Sequence, residues 1–202
     1  MEALTRPGIE WGAATRTLPG EAESGDRHLV IRLPDGALLA AVDGLGHGRE
    51  AALAADLAVR TMESHDGLSL IEIVERCHQN LLRSRGVALS LARWDVGQRS
   101  LSWVGVGNVE GLLLRAEPDS RAGAERLLQR VGVVGVRLPS LQASSVAVPG
   151  AGLLIFATDG IATGFERIID ARTPPQQLAD QILARHSKGT DDALVLVARL
   201  GK

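Results

Sequence analysis

The stretch "DRHLVIRLPDGALLAAVDGLGHGR", residues 26–49, predicts two strands joined by a tight turn. Its apolar runs, residues 28–33 and 37–42, flank Pro34-Asp35-Gly36, and proline followed by Asp-Gly between strand-like runs is typical of a hairpin. The runs are apolar almost without interruption, which predicts strands covered on both faces. Directly after the second run come Asp43 and then three glycines and a histidine within five positions.

Two aspartates lie at the open end of the predicted hairpin. Asp26 precedes the first apolar run and Asp43 ends the second, so both are about equally far from the centre of the turn. Such residues lie nearly opposite each other in an antiparallel pair, with Cβ atoms about 4.5–5.5 Å apart when they share a face. Facing carboxylates repel, so this register predicts that a proton or a cation offsets their charge.

Apolar periodicity predicts three helices in the rest of the chain. Residues 49–64 are rich in alanine, which favours a helix that can lie close on a sheet. Residues 68–84 carry apolar side chains at three- and four-residue spacing and end before Gly86. Pro174-Pro175 begins a third helix that continues to about His186.

Short apolar runs predict further strands, most of them joined by short links. These strands are residues 8–18, a meander of 87–95, 100–108 and 110–116, and then 127–138, 141–150, 151–160 and 191–200, with a polar loop at 116–126. Short links favour antiparallel pairing, and apolar strand faces need helices over them. We therefore predict the α+β class, with residues 1–202 forming a single domain. Its architecture is an α-β-β-α sandwich of two mainly antiparallel sheets flanked by helices.

Two further acidic positions fall where strands end or begin. Asp159 follows the apolar strand "GLLIFAT", and Asp191-Asp192 precede the last strand. Strand ends and strand starts alternate along one edge of an antiparallel sheet, so Asp26, Asp43, Asp159 and Asp191 can meet at one rim. Converging carboxylates suit hard cations such as Mg²⁺ or Mn²⁺, and two such ions can activate a water and clamp a phosphoryl group. A single Asp-Gly, by contrast, is more often an ordinary solvated turn.

Composition restricts the classes of function. A net charge of -2 gives no general basis for binding nucleic acid or an anionic membrane, and 2% aromatic residues provide few stacking platforms. No apolar stretch is long enough to span a membrane and the N-terminus lacks a signal-peptide pattern, so we expect a cytoplasmic protein. One cysteine excludes an intrachain disulfide, and Cys77 falls in an apolar helical pattern that predicts a core position.

An alternative interpretation of "DGLGHG", residues 43–48, is the phosphate-binding loop of a nucleotide-binding protein. That loop requires the pattern G-x-x-x-x-G-K-[ST] between a strand and a helix. The stretch contains no lysine, and Asp43 would repel a phosphate, so the sequence disfavours this alternative.

Five blocks of sequence resemble a known family. They are "SGD" (24–26), "VDGLGHGREA" (42–51), "GVGNVEGLLL" (105–114), "FATDGIATGF" (156–165) and "GTDDALVLVARL" (189–200). In type and order they resemble the metal-dependent serine/threonine phosphatases of the PPM (protein phosphatase 2C) family, and most closely its SpoIIE-like branch. The resemblance implies an α-β-β-α sandwich with two Mn²⁺ or Mg²⁺ ions at one end, which agrees with the prediction from the strands.

The resemblance also implies a set of metal ligands: Asp26, Asp43, the carbonyl of Gly44, Asp159 and Asp191. Asp43 would bridge the two ions, Asp26 would serve one of them, and Asp159 and Asp191 would serve the other. The implied reaction is direct hydrolysis, in which a metal-bridging hydroxide attacks the phosphorus in line and no phosphoenzyme forms.

Other residues lie around this ligand set or depart from the family's pattern. Asp192 would stand beside the ligands, and Asn108 would support the sheet edge near the site. Eukaryotic relatives carry histidine directly after Asp-Gly, where this chain has Leu45 and only later His47. His47 is therefore the candidate general acid, with polar packing as its alternative role. Arg49 is the candidate for a basic residue that holds phosphate, with a plain surface position at the helix start as its alternative.

The resemblance extends to a class of substrate. No sensor, transmembrane or coiled-coil segment precedes the catalytic motifs, and such short stand-alone members resemble the phosphatases of the bacterial stressosome. The implied partners are STAS-domain proteins phosphorylated on serine or threonine, and the expected enzyme is a monomer. Two alternatives stay open: a phosphatase of an anti-sigma-factor antagonist, and a catalytically inactive PPM domain that binds phosphoproteins.

Overall fold

The computed structural model describes residues 9–64, 67–115 and 124–201. Within these ranges the chain forms ten strands, three α-helices and one short 3-10 helix. The strands are β1 (Glu10–Arg16), β2 (Asp26–Leu33), β3 (Gly36–Gly44), β4 (Val87–Asp95), β5 (Ser100–Val106), β6 (Glu110–Arg115), β7 (Ala124–Leu127), β8 (Ser144–Ala147), β9 (Gly152–Ala157) and β10 (Ala193–Leu200). The helices are α1 (Arg49–Glu63), α2 (Leu70–Leu81) and α3 (Pro175–His186), with the 3-10 helix at Phe165–Ile168.

The hairpin predicted around Pro34-Asp35 is confirmed. Strands β2 and β3 pair antiparallel from Leu33 opposite Gly36 at the turn to Asp26 opposite Asp43 at the open end. No bulge interrupts the pairing, so residues equally far from the turn in the sequence lie opposite each other in the structure. The two carboxylates therefore start from neighbouring backbone positions.

The strands form two antiparallel sheets, as predicted. The first sheet has the order β1-β10-β9-β6-β7, and the second has the order β2-β3-β4-β5-β8. Apolar side chains such as Leu39, Phe156 and Leu196 fill the space between the two sheets. Helices α1 and α2 cover the outer face of the second sheet, and α3 covers the outer face of the first. The α-β-β-α sandwich predicted from the order of elements is confirmed.

Small residues let α1 approach the second sheet closely. Its inward face is built from alanines, including Ala51, Ala55 and Ala58, all of which are fully buried. A Cβ atom at Gly44 would clash with the carbonyl of Ala51, so a larger residue at the end of β3 would push the helix away. The sequence thus fixes the distance between α1 and the Asp43-Gly44 turn.

No helix in the described ranges is long and apolar enough to cross a membrane.

The predicted meander of three strands is wrong in its third member. Strands β4 and β5 pair with each other, but β6 lies in the other sheet between β9 and β7. The outer edge of β5 is taken by β8, and Gly107, with a φ of 96°, lets the chain leave toward the first sheet. Sheet membership depends on which distant strand fills an edge, and a local pattern does not contain that information.

The region after β6 also differs from the prediction. The predicted polar loop 116–126 overlaps β7 in its last three residues, and its first eight residues lie outside the described ranges. Of the predicted strand 127–138 only Leu127 belongs to a strand, and the rest makes isolated bridges to β4 and β5. Gly135 has a φ of 95° and Val131 is 96% exposed, so the apolar spacing here does not reflect a buried strand. The predicted strand 141–150 is reduced to the four residues of β8.

Cys77 is a core residue, as its helical pattern predicted. It is fully buried on α2, and its Sγ lies 3.7 Å from the carbonyl oxygen of Ala58 on α1. Burial raises the pKa of this thiol to about 12, so it stays protonated and unreactive at neutral pH.

The N-terminus of α2 provides a test of the local physics. Ser69 accepts a hydrogen bond from the Glu72 backbone N–H, and the Glu72 carboxylate accepts one from the Ser69 backbone N–H, which forms a capping box. We expect Ser69→Ala to lower the free energy of unfolding by about 1 kcal/mol because it exposes an unpaired helix donor. Urea denaturation measures this change. Ser64→Ala, at the exposed end of α1, is the control and should stay within about 0.5 kcal/mol of the wild type.

Candidate metal centre

Four acidic positions from the two sheets meet at one rim of the sandwich. The second sheet supplies Asp26 at the start of β2 and Asp43 near the end of β3. The first sheet supplies Asp159, just after β9, and Asp191, just before β10. Asp26 and Asp43 each interact electrostatically with Asp159, Asp191 and also Asp192. The structure thus brings together all the carboxylates that the sequence singled out.

Asp26 is held by a threonine that joins the two sheets. Thr158 Oγ1 donates a hydrogen bond of 2.7 Å to Asp26 Oδ2 and accepts one of 2.8 Å from the backbone N–H of Leu194. Thr158 is buried, so this link is protected from water. One Asp26 oxygen is therefore held in place by a hydrogen bond from the other sheet. Sequence reasoning did not identify Thr158, although it directly precedes Asp159 in "TDG".

Asp192 holds the loop that leads into β2. Its Oδ1 accepts a hydrogen bond of 2.7 Å from the backbone N–H of Leu18, and its Oδ2 accepts one of the same length from Gly25. The Gly25 carbonyl in turn accepts a hydrogen bond of 3.1 Å from the Gly44 N–H. Asp192 therefore positions the backbone next to Asp26 and Asp43, and both its oxygens are already occupied by backbone donors.

Asp159 has two polar neighbours. Asn108 Nδ2 donates a 2.6 Å hydrogen bond to Asp159 Oδ2, which accords with the expectation that Asn108 supports the sheet edge. Lys188 Nζ donates a 2.5 Å hydrogen bond to the main-chain oxygen of Asp159. Lys188 was not among the residues singled out in the sequence, because a lone lysine in a loop carries no pattern.

The electrostatics of the rim favour a bound cation. Burial, followed by the repulsion of neighbouring carboxylates, raises the pKa of Asp43 to about 8. Burial also raises the pKa of Asp26 to about 7, although the hydrogen bond from Thr158 acts in the opposite direction. The pKa of Asp159 is raised as well, first by burial and then by Asp191. Raised pKa values mean that the ionised form of these carboxylates is destabilised here, and a divalent cation would stabilise it.

The rim carboxylates lie near each other but do not surround a common point. In the part of the chain that the structure describes, no three His, Cys, Asp or Glu side chains form a ready-made ligand set around one point. Charges repel each other over distances longer than the 2.0–2.2 Å or so of a metal–oxygen bond. The carboxylates therefore raise each other's pKa without three of them standing close enough to share one ion. All the donors are carboxylate or carbonyl oxygens, which is the chemistry that Mg²⁺ and Mn²⁺ prefer. The residues therefore fit hard divalent ions.

His47 lies on the loop after Asp43 and is paired with a glutamate. Its Nδ1 is 2.5 Å from Glu21 Oε1, and its side chain is more than half exposed. Arg49, the other candidate in this region, is exposed at the start of α1. Sequence reasoning did not identify Glu21, because the loop between β1 and β2 carries no motif that links it to residue 47.

An open cleft lies beside Asn108. It has a volume of about 350 Å³ and is lined by Leu45, Asn108 and Val131, together with neighbouring small residues. Leu45 follows the Asp43-Gly44 turn directly, so the cleft adjoins the rim.

Comparison with known proteins identifies the family. The family profile described as stage II sporulation protein E (SpoIIE) matches residues 34–201. A chain solved in work on the bacterial stressosome, described as a modular system adapted to control secondary messenger signalling, is 32% identical. The match covers 95% of this chain and 99% of that one, with a TM-score of 0.86. A search of curated protein sequences finds no match.

Two further structures share the fold. RsbX in complex with magnesium is 19% identical, with coverage of 95% of this chain and 94% of that one and a TM-score of 0.84. The PP2C phosphatase domain of SpoIIE from Bacillus subtilis, solved with a fragment of its regulatory domain, is 21% identical and has a TM-score of 0.78. Here the match covers 96% of this chain and 62% of that one. The resemblance to the SpoIIE-like branch and its stressosome phosphatases agrees with these matches, and the chain belongs to the SpoIIE family of PP2C-type (PPM) serine/threonine phosphatases.

Proposed function

We propose that this protein is a metal-dependent phosphatase that removes phosphate from serine or threonine of STAS-domain proteins in a bacterial stress-signalling pathway. The observation that carries the proposal is the convergence of four carboxylates, two from each sheet, at one rim of a PPM sandwich. The similarity to a stressosome chain and to RsbX supports the choice of pathway. The proposal includes a cytoplasmic, monomeric enzyme whose residues 1–202 form one catalytic domain.

Two Mn²⁺ or Mg²⁺ ions are part of the proposal. The residues that would hold these ions are Asp26, Asp43, Asp159 and Asp191, together with the main-chain carbonyl of Gly44. Bound ions of this kind lower the pKa of a water and offset the charge on the phosphoryl oxygens for in-line attack. Magnesium is present in the related RsbX structure, which supports a hard divalent ion.

The surrounding residues of the chain then have distinct tasks. Thr158 positions Asp26 by donating a hydrogen bond to the Asp26 carboxylate. Asp192 positions it by accepting a hydrogen bond from the backbone N–H of the preceding residue, Gly25. Asn108 orients the Asp159 carboxylate. We assign His47 as the donor of a proton to the departing serine or threonine oxygen, with Glu21 holding the Nδ1 side of the ring. To donate, His47 acts as the imidazolium: Nδ1–H faces Glu21, and the Nε2–H bond breaks as its proton passes to the departing oxygen.

The competing role is that of an inactive PPM domain that only binds phosphoproteins. Every carboxylate that the family motifs require is present in the sequence, which supports an active enzyme. The related alternative, a phosphatase of an anti-sigma-factor antagonist, uses the same site on another STAS protein.

The direct test of the function is release of phosphate from phosphorylated STAS-domain proteins of the same genome. We expect release with Mn²⁺ or Mg²⁺ and none in EDTA, because the rim carboxylates repel phosphate without a cation. Malachite-green detection of free phosphate measures this. Tight binding of the phosphoproteins without any release would instead support the binding module.

The ligand assignment predicts the effect of removing single carboxylates. Asp43→Asn and Asp159→Asn should each abolish high-affinity Mn²⁺ binding in calorimetry and lower turnover at least about a hundredfold, while the far-UV spectrum stays native. Asp35→Asn is the matched control. It lies at the turn of the same hairpin, at the opposite end from Asp43, and should retain both properties. Wild-type turnover in either rim variant would contradict the assignment.

Charge repulsion at the rim predicts an unusual pattern of thermal stability. Mn²⁺ should raise the melting temperature of the wild type, and EDTA should reverse the rise, because the ion binds the folded state. In EDTA, Asp43→Asn should melt at or above the wild-type temperature, since one buried, repelled carboxylate is gone. Differential scanning fluorimetry measures both effects. A metal-free variant that melts well below the wild type would show that Asp43 has a purely structural role.

The role of His47 predicts a dependence on the leaving group. His47→Gln should lower kcat for a phosphoserine peptide by about a hundredfold, since an alkoxide needs a proton to depart. The same variant should change kcat for p-nitrophenyl phosphate only a few-fold, because p-nitrophenolate leaves readily without one. Glu21→Gln should show the same selectivity with a smaller loss. Equal losses on both substrates would argue for a role in binding or folding.

A further inference from the structure

Lys188 lies directly against the turn that carries Asp159. It follows α3 and is exposed to solvent. Its backbone N–H donates a 2.8 Å hydrogen bond to the carbonyl of Gly160, and its Nζ donates one of 2.5 Å to the main-chain oxygen of Asp159. Backbone and side chain thus both bind the same two-residue turn.

The segment around Lys188 is held in place by its neighbours. The Ala162 N–H donates a 2.7 Å hydrogen bond to the carbonyl of His186, and Ile161 forms an isolated bridge with Ser187. Gly189, with a φ of 72°, then turns the chain toward Asp191. The backbone of Lys188 is therefore fixed beside the Asp159-Gly160 turn, and its ammonium group contacts that turn through one hydrogen bond to a main-chain oxygen.

Lys188 brings a positive charge to a rim that is otherwise acidic. Its charge acts on Asp159, in opposition to burial and to the negative charge of Asp191. Several arginines near this end of the molecule are already engaged: Arg27 pairs with Asp56, and Arg85 pairs with Glu50. One of the three N–H groups of the Lys188 ammonium donates to a neutral carbonyl, which leaves two for other partners. A charged oxygen would form a stronger hydrogen bond with this group than the carbonyl does.

We propose that Lys188 binds a non-bridging oxygen of the substrate's phosphate on the Asp159 side of the metal centre. The inference rests on the proposed phosphatase function. A phosphate monoester carries nearly two negative charges at neutral pH and approaches a surface of several carboxylates, so a cationic side chain at the entrance lowers the repulsion. The flexible four-carbon stem lets the ammonium move from the Asp159 carbonyl to the phosphate without a change in the backbone.

The proposal predicts two effects of opposite sign from one substitution. Lys188→Met removes the charge and keeps the apolar stem. It should weaken binding of inorganic phosphate to the Mg²⁺-loaded protein about tenfold, since a charge-assisted hydrogen bond is lost. It should also tighten binding of Mn²⁺ to the phosphate-free protein about threefold, because a repelling cation has left the rim. Isothermal titration calorimetry measures both affinities without relying on turnover.

Two control variants separate this role from simpler ones. Lys188→Arg keeps the charge and should leave Mn²⁺ affinity within about twofold of the wild type. Arg185→Met removes an exposed cation one turn earlier on α3 and should change neither affinity by more than about twofold.

The outcomes distinguish the inference from the function on which it rests. If Lys188→Met weakens both phosphate and Mn²⁺ binding, the lysine only supports the turn and the inference is wrong. If neither affinity changes while the wild type binds both ligands, Lys188 does not contact phosphate. If the wild type itself binds no Mn²⁺, the proposed function fails and the inference fails with it.

Discussion

The mutual repulsion of carboxylates at one rim is the constraint on which the site depends. Asp26 and Asp43 face each other across a single hairpin, and the end of β9 and the start of β10 add Asp159 and Asp191. Burial raises the pKa of the first two well above the ordinary value for aspartate, to about 7 and about 8. A fold that gathers such groups retains them only if a cation or a proton offsets their charge.

The sandwich architecture makes this gathering possible. Each sheet supplies two acidic positions, and at this rim polar side chains add to the apolar packing that holds the sheets together. Thr158 connects the end of β9 to Asp26 across the sheets, and Asp192 connects the start of β10 to the loop before β2. Helix α1 approaches Gly44 closely and so constrains the backbone that follows Asp43. Positioning of the carboxylates is therefore shared among segments far apart in the sequence.

Much of this arrangement was predictable from local pattern. The symmetry of two aspartates about Pro34-Asp35-Gly36 sufficed to pair them, because a hairpin without a bulge has only one register. Strand phase then placed Asp159 and Asp191 at the same rim, and the helices followed from apolar periodicity. These features depend on short stretches of chain whose preferences agree with the final fold.

The features that escaped prediction depend on long-range partners. Strand β6 belongs to the first sheet, and the edge of β5 is occupied instead by β8, a strand far along the chain. Residues 128–138 resemble a strand in spacing, but glycine turns and edge contacts hold them as an irregular segment. Glu21 and Lys188 reach the site through loop conformations, and neither residue belongs to a motif. The local sequence pattern predicts the position of a carboxylate at a strand end, but it does not predict which distant loop contacts that carboxylate.

The most direct test of the central claim is an anomalous difference map from crystals soaked in Mn²⁺ and measured near the manganese absorption edge. The account predicts two strong peaks at the rim, with Asp43 between them, Asp26 and the Gly44 carbonyl at one, and Asp159 and Asp191 at the other. A map with no peak at this rim, or with manganese bound only elsewhere on the protein, would contradict the claim that these carboxylates form a metal centre.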